Sequence, residues 1–165
     1  MKIKPQQVIL YATLFVVIGI GVTMITGLWH TESDKIPKRL EAAAPQATDG
    51  QISYDPADIR GSYTFGEISR LYQIPLADLS AAFQIAEGEA ETFKVKDLKA
   101  QFESAQAEIG TASLRMFAAF YLGIAYEMTE ETYLPDTAAK VLYTANRMTA
   151  EQAAYVTSHT ASINP

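Results

Sequence analysis

The feature that most constrains this chain is an uncharged, mostly apolar run from Val8 to Trp29. The run holds 22 residues, and about 20 apolar residues are enough for a helix to cross the core of a bilayer. A secretory signal is the alternative, but its apolar core is typically only about 7–15 residues long and precedes a cleavage site of small residues. The run continues to Trp29 and His30 without such a site. The sequence therefore predicts a retained transmembrane helix at 8–29.

Composition divides the rest of the chain into three parts. Residues 1–7 form a short basic head, and residues 30–53 form a linker rich in charge, proline, alanine and small polar residues. Residues 54–165 have the length of one folded domain. From Leu40 onward, eight Lys and Arg stand against seventeen Asp and Glu, a net charge of −9. The chain therefore reads as a membrane anchor that carries one acidic domain.

The orientation of the predicted helix rests on a nearly balanced count of basic residues. Lys2 and Lys4 precede the helix, whereas Lys35, Lys38 and Arg39 follow it, and acidic residues contribute little to orientation. A head this short is easily retained in the cytoplasm. We therefore expect a single-pass protein of the cytoplasmic membrane whose domain is extracytoplasmic. The absence of cysteine agrees with an oxidising compartment without requiring one.

Small residues recur along one face of the predicted transmembrane helix. Gly19, Thr23 and Gly27 are spaced four apart, so they stack on one side and allow a neighbouring helix to approach closely. Glycine and threonine are also common in membrane helices that have no partner. Trp29 is typical of a membrane–water interface. His30 beside it is either an interfacial polar residue or a contact to the haem or quinone of a partner.

The domain sequence has clear helix signals, and its predicted fold class is mainly α. Thr64 and Glu67 form a capping box, which opens a helix at 67–72. A break at Pro75 then separates this helix from a second one at 76–83, giving a shape like a helix-turn-helix. Further helices are predicted at 96–107, at 112–123, from Tyr133 to Tyr143, and after a second capping box formed by Thr149 and Gln152.

Several function classes are disfavoured by the residues present. The second helix carries Asp78 and no basic residue, so it does not suit DNA, whose phosphates are neutralised by Lys and Arg; we expect no nucleic-acid partner. No metalloprotease, nucleophile-elbow, P-loop or dinucleotide motif appears, and we do not expect an enzyme. Without cysteine the chain holds neither an iron–sulfur cluster nor covalent c-type haem, and we expect no cofactor of its own.

Two groups of acidic residues and a second histidine are further candidates for ligand or metal binding. Glu87, Glu89 and Glu91 alternate on a predicted loop, and a second acidic group precedes Tyr133. Neither group has the order of ligands and glycine found in an EF-hand, so we interpret both as solvated surface rather than metal sites. His159 lies near the end of the chain and is predicted to be a surface residue.

The segment from Ile59 to Leu79, IRGSYTFGEISRLYQIPLADL, resembles a small helical module of unknown function. This module accompanies polyferredoxin membrane proteins of the NapH type and small cytochrome-like membrane proteins of respiratory electron transfer. SLRMF from Ser113 and YLPD from Tyr133 are similar to its downstream part. The resemblance implies an accessory role beside a larger integral membrane redox subunit, or beside a second copy of the chain. The partner would carry the haem or iron–sulfur clusters, and no catalytic residue is transferred.

The same segment also has a fainter resemblance to the peptidoglycan-binding LysM repeat. The shared part is the E-I-x-x-x-Y-x-I core that starts at Glu67. The flanking strands of that repeat and the asparagine that normally follows are not evident in the sequence. The alternative function is therefore a membrane-anchored extracytoplasmic module that binds a ligand or peptidoglycan.

Overall fold

The computed structural model describes residues 37–38, 54–105, 107–128 and 131–162. The predicted head and transmembrane helix lie outside these ranges, together with most of the predicted linker. The predicted packing residues Gly19, Thr23 and Gly27 and the interfacial residues Trp29 and His30 lie outside them as well. Within the described ranges, no helix is long and apolar enough to cross a membrane. These residues form a mainly helical domain, as the sequence predicts for this part of the chain.

The described part of the chain contains seven α-helices and two short paired strands. In chain order they are α1 (Phe65–Tyr72), α2 (Leu76–Phe83), α3 (Glu87–Ala90), α4 (Leu98–Gln101), α5 (Thr111–Leu122), β1 (Leu134–Pro135), α6 (Asp136–Ala145), α7 (Ala150–Ser158) and β2 (Thr160–Ala161). Two 3-10 helices, Pro56–Asp58 and Val95–Asp97, precede α1 and α4.

Helices α1 and α2 form the first helix pair. α2 has the predicted bounds, whereas α1 begins at Phe65, two residues before the predicted start at 67. α1 ends at Gln73, which adopts a left-handed conformation with φ of 55°, and Pro75 then precedes α2. A left-handed residue at a helix end reverses the chain sharply. α2 ends in the same way at Gln84. The short connection between α1 and α2 places the helices side by side.

An antiparallel backbone pairing joins the two ends of the first helix pair. The Val95 amide donates to the Tyr63 carbonyl at 2.9 Å, and the Phe65 amide donates to the Phe93 carbonyl at 3.0 Å. Between them, Thr64 and Lys94 form an antiparallel bridge. Residues 63–65, just before the helix pair, are thus hydrogen-bonded to residues 93–95, which follow it in the sequence.

The predicted helix at 96–107 is wrong in its length. The chain forms the 3-10 helix Val95–Asp97 and then only the single turn of α4, although Leu98 and Phe102 are buried as expected. Between Phe102 and Ile109 the sequence has no apolar side chain larger than alanine. A longer helix would have no apolar face to bury, and a short helix gains most of its stability from such burial.

Other boundaries also differ from those that the sequence predicts. Residues Glu87–Ala90 form α3 where a loop was predicted. The helix predicted at 112–123 spans Thr111–Leu122, and the amide of its N-cap Gly110 donates to Ser113 Oγ at 3.2 Å. The helix predicted from Tyr133 begins only at Asp136.

Helix α5 forms the centre of the core. Of its twelve residues, eight are buried, among them Phe117 and Phe120. The ring of Phe117 meets that of Phe83 at 5.4 Å, and Phe83 in turn meets Phe65 at 5.8 Å, both edge to face. Such pairs add to the free energy of burial. The aromatic chain links α5 to both helices of the first pair.

Helices α6 and α7 form the second helix pair. α6 ends at Asn146, again left-handed with φ of 51°. Strand β1 precedes this helix pair in the sequence and strand β2 follows it. The two strands lie parallel, with Leu134 opposite Thr160, and the Leu134 amide donates to the His159 carbonyl at 2.9 Å. Across the domain, α6 packs against α2, where Thr137 Oγ1 donates to the Ala82 carbonyl at 2.7 Å.

Two residues of the predicted linker, Pro37 and Lys38, lie against the domain. The Lys38 amide donates to Asp58 Oδ2 at 2.6 Å, and the Lys38 carbonyl accepts from the Asp55 amide at 2.9 Å. Pro37 is buried, whereas Lys38 is exposed. The compact unit that contains the domain accordingly begins at Ile36.

Candidate functional site

The two predicted capping boxes both form. Their side chains cap the first turns of two helices. At α1 the Glu67 amide donates to Thr64 Oγ1 at 3.1 Å, and the Thr64 amide donates to Glu67 Oε2 at 2.8 Å. At α7 the corresponding distances between Thr149 and Gln152 are 3.2 and 3.0 Å. Gln152 is 4% exposed and also donates from Nε2 to the Ile124 carbonyl at 2.9 Å. It therefore ties α7 to the chain that leaves α5.

The segment Ile59–Leu79 contributes mainly core residues. Its buried apolar side chains are Ile59, Tyr63, Phe65, Ile68, Tyr72, Ile74 and Leu79. Buried apolar side chains determine packing. The residues that carry the family resemblance therefore belong mainly to the core, and they do not bring reactive groups together at one place.

A polar contact between α2 and α5 was not predicted from the sequence. Tyr121 Oη donates to Asp78 Oδ2 at 2.5 Å, and the Arg147 guanidinium carbon lies 5.6 Å from the centre of the Tyr121 ring. Burial, followed by the hydrogen bond to the Asp78 carboxylate, raises the pKa of Tyr121 to about 12. Tyr121 is therefore a neutral donor at physiological pH, and the contact fixes the two helices to each other.

His159 lies in an aromatic cluster with Tyr133 and Tyr155. Its ring stacks on Tyr155 with centroids 3.9 Å apart and an angle of 4°, and it meets Tyr133 at 5.3 Å. Its Nδ1 atom lies 2.9 Å from Ser158 Oγ and 3.1 Å from the Tyr155 carbonyl oxygen. His159, predicted to be a surface residue, is partly exposed. Its stacking on Tyr155 at the end of α7 was not predicted from the sequence.

An open groove of about 520 Å³ lies beside α4. Phe102 and Ile109 contribute apolar side chains to it. Its charged lining residues are Lys96, Lys99, Glu103 and Glu108. Lys99 Nζ lies 3.1 Å from Glu108 Oε1. An apolar floor with a charged rim is the arrangement found at protein-docking surfaces.

The acidic residues do not form a metal centre in the described ranges. No group of three or more His, Cys, Asp or Glu in these ranges is placed to hold a metal ion. Glu87 and Glu89 are exposed on α3. Glu91 forms an ion pair with Arg70, whose Nη1 lies 2.5 Å from Glu91 Oε1. Their placement agrees with the interpretation as solvated surface.

No protein-family model, no curated protein and no solved structure matches the chain. The family resemblance of Ile59–Leu79 accordingly remains a prediction from the sequence. In the described part of the chain, the groove beside α4 is a surface with an apolar floor and charged edges, which suits an interaction site. The polar contact and the aromatic cluster act as supports of the fold.

Proposed function

We propose that the protein is a non-catalytic, membrane-anchored accessory subunit that docks to a larger membrane-bound electron-transfer complex. The observation that carries this proposal is the uncharged run Val8–Trp29 joined to a helical domain whose segment Ile59–Leu79 resembles the module of redox membrane proteins. The haem or iron–sulfur clusters belong to the partner. The protein lies in the cytoplasmic membrane, with its domain on the extracytoplasmic side.

The transmembrane helix contributes the first contact with the partner. The small residues Gly19, Thr23 and Gly27 provide a face on which a second helix packs at short distance. A single-span helix gains from this face only if a partner is present, either the larger subunit or another copy of the chain.

A co-purification experiment tests this packing face. We expect full-length protein, tagged and extracted from its native membranes in mild detergent, to elute with a larger subunit that carries a visible haem or iron–sulfur spectrum. Replacing Gly19 and Gly27 by leucine should remove that subunit from the eluate. Gly21 lies off the face, so Gly21→Leu is the matched control and should leave the complex intact. Equal recovery of the partner with both variants would contradict helix packing, and a colourless protein alone would contradict the function.

The groove beside α4 contributes a second contact, made by the domain. Ala100 is an exposed helical residue that lines the groove, and an arginine there would place a long charged side chain at it. Ala154 is an exposed alanine on α7, away from the groove residues. We expect Ala100→Arg to reduce co-purification of the partner severalfold, whereas Ala154→Arg should leave it unchanged. Equal recovery with both variants would argue against docking through the groove.

A peptidoglycan-binding function is the second candidate, and one observation favours it. Antiparallel pairing of Tyr63 and Phe65 with Phe93 and Val95 brackets α1 and α2, which supplies the flanking extended segments that the LysM resemblance lacked in the sequence. This candidate predicts that the full-length protein in detergent sediments with isolated peptidoglycan and has no stable membrane partner. Failure to sediment would remove it.

A further inference from the structure

The contact of Pro37 and Lys38 with the domain has a consequence for how the domain is tethered. Both backbone groups of Lys38 are used: its amide donates to the Asp58 carboxylate at 2.6 Å, and its carbonyl accepts from the Asp55 amide at 2.9 Å. Pro37 is buried at the same place. A hydrogen bond to a charged acceptor is stronger than one between neutral groups.

Further hydrogen bonds join Asp55, which receives this contact, to the rest of the domain. Asp55 is the N-cap of the 3-10 helix Pro56–Asp58, and its Oδ1 accepts from the Ala57 amide at 2.9 Å. Its carbonyl accepts from Tyr72 Oη at 3.0 Å, which ties the turn to α1. Burial raises the pKa of Tyr72 above its usual value, so this donor stays protonated. Asp55 is therefore held by contacts that do not involve Lys38, and the Asp58 amide donates to the Asp55 carbonyl at 3.0 Å.

We propose that Pro37 and Lys38 form a clip that fastens the incoming chain to the domain well ahead of Tyr54. The chain that follows the predicted transmembrane helix then first contacts the domain at Pro37 and Lys38 rather than at Tyr54. Residues 39–53 are attached to the domain at both ends and add nothing to the length of the tether. The clip does not depend on which partner the protein binds.

The proposal gives different expectations for insertions at two places. A flexible Gly-Ser insertion between Ser33 and Asp34 lengthens the chain ahead of the clip, whereas the same insertion between Gln46 and Ala47 lengthens the chain between the clip and Tyr54. If the docking function proposed above holds, the first insertion weakens co-purification of the partner more than the second. This consequence rests on the proposed function, and the clip itself is tested separately.

Amide hydrogen exchange of full-length protein in detergent micelles, resolved at Lys38 and Asp55, tests the clip directly. We expect Asp58→Ala to speed exchange at both amides by about tenfold or more, because the charged acceptor of the Lys38 amide is lost and the clip opens as a unit. Asp97 is also the last residue of a three-residue 3-10 helix, so Asp97→Ala is the matched control and should change neither rate. Unaltered exchange in the core helix α5 shows that the variant is folded.

Either of two results at the Lys38 amide would overturn the clip. One is exchange of the Lys38 amide in the unaltered protein at the rate of an unstructured peptide. The other is an equal rate at Lys38 in the Asp58→Ala and Asp97→Ala variants. A second variant, Lys38→Pro, removes the donor and leaves the Asp58 carboxylate in place. It should speed exchange at Asp55, and an unchanged Asp55 rate would also count against the proposal.

Discussion

At the scale of single residues, Gly66 occupies the most tightly enclosed of the glycine positions that the structure describes. A Cβ atom there would overlap the Glu91 carboxylate and lie 2.7 Å from the Glu91 carbonyl oxygen. We therefore expect Gly66→Ala to lower the free energy of unfolding by about 2 kcal/mol, because the backbone at Glu91 must move. Chemical unfolding of the full-length protein in mild detergent measures this change.

Gly88 provides the matched control for this substitution. A Cβ atom at Gly88 meets nothing within 4 Å, and the residue lies in the short helix α3. Gly88→Ala should leave stability unchanged or raise it by up to about 1 kcal/mol, since alanine favours helix over glycine. Equal losses at the two positions would show that the close approach to Glu91 is not the cause.

Individual residues differ in how far the sequence alone reveals their roles. Thr64 and Glu67 could be assigned from the sequence, because a capping box is a local pattern of three-residue spacing. The contact of Gly66 with Glu91 could not, because it depends on how the chain returns after α2. The same holds for Tyr121 and Asp78, which are 43 residues apart and meet only when α5 packs against the first helix pair.

At the scale of elements, α1 depends on its capping box. Thr64→Ala removes the acceptor of the Glu67 amide and should lower the free energy of unfolding by about 1 kcal/mol. Thr144 lies inside α6, where its hydroxyl donates to the Lys140 carbonyl at 2.9 Å, a bond that adds little to helix stability. Thr144→Ala should therefore be nearly neutral. Thermal unfolding of both variants decides the point, and a larger loss at Thr144 would contradict it.

Helices with sharp local signals were predicted well, and those without them were not. α2 has a proline before it and a regular apolar face, and its predicted bounds, 76–83, agree with the structure. The predicted helix at 96–107 lacked both a cap and a continuous apolar face. β1 and β2 were missed because each has only two residues, too few for an alternating pattern to appear.

At the scale of the whole molecule, the burial of Tyr121 and its hydrogen bond to Asp78 make the stability of the fold depend on pH in the alkaline range. The pKa of Tyr121 is raised from 10.0 to about 12 in the folded state, so the neutral phenol is favoured by folding. This contribution is complete below pH 10 and is lost as the pH rises through about 12. We therefore expect Tyr121→Phe to flatten the decline of the melting temperature with pH over this range.

A second tyrosine supplies the comparison for this pH dependence. Tyr143 is 49% exposed on α6, and Tyr143→Phe leaves the same number of tyrosines as Tyr121→Phe. Melting temperatures of the full-length protein measured from pH 9 to 12 should decline in Tyr143→Phe as in the unaltered protein. Identical profiles for the two variants would mean that the Tyr121 phenol does not link folding to pH.

The pairing of β1 with β2 joins the two ends of the second helix pair by backbone hydrogen bonds. Leu134 and Thr160 meet at its base, as Thr64 and Lys94 do in the first half. A backbone cut between Glu127 and Met128 would leave both closures intact, along with the contact of Gln152 with Ile124. Two co-expressed fragments divided there should therefore reassociate into one domain. The protein could thus be split and rejoined as two complementing pieces.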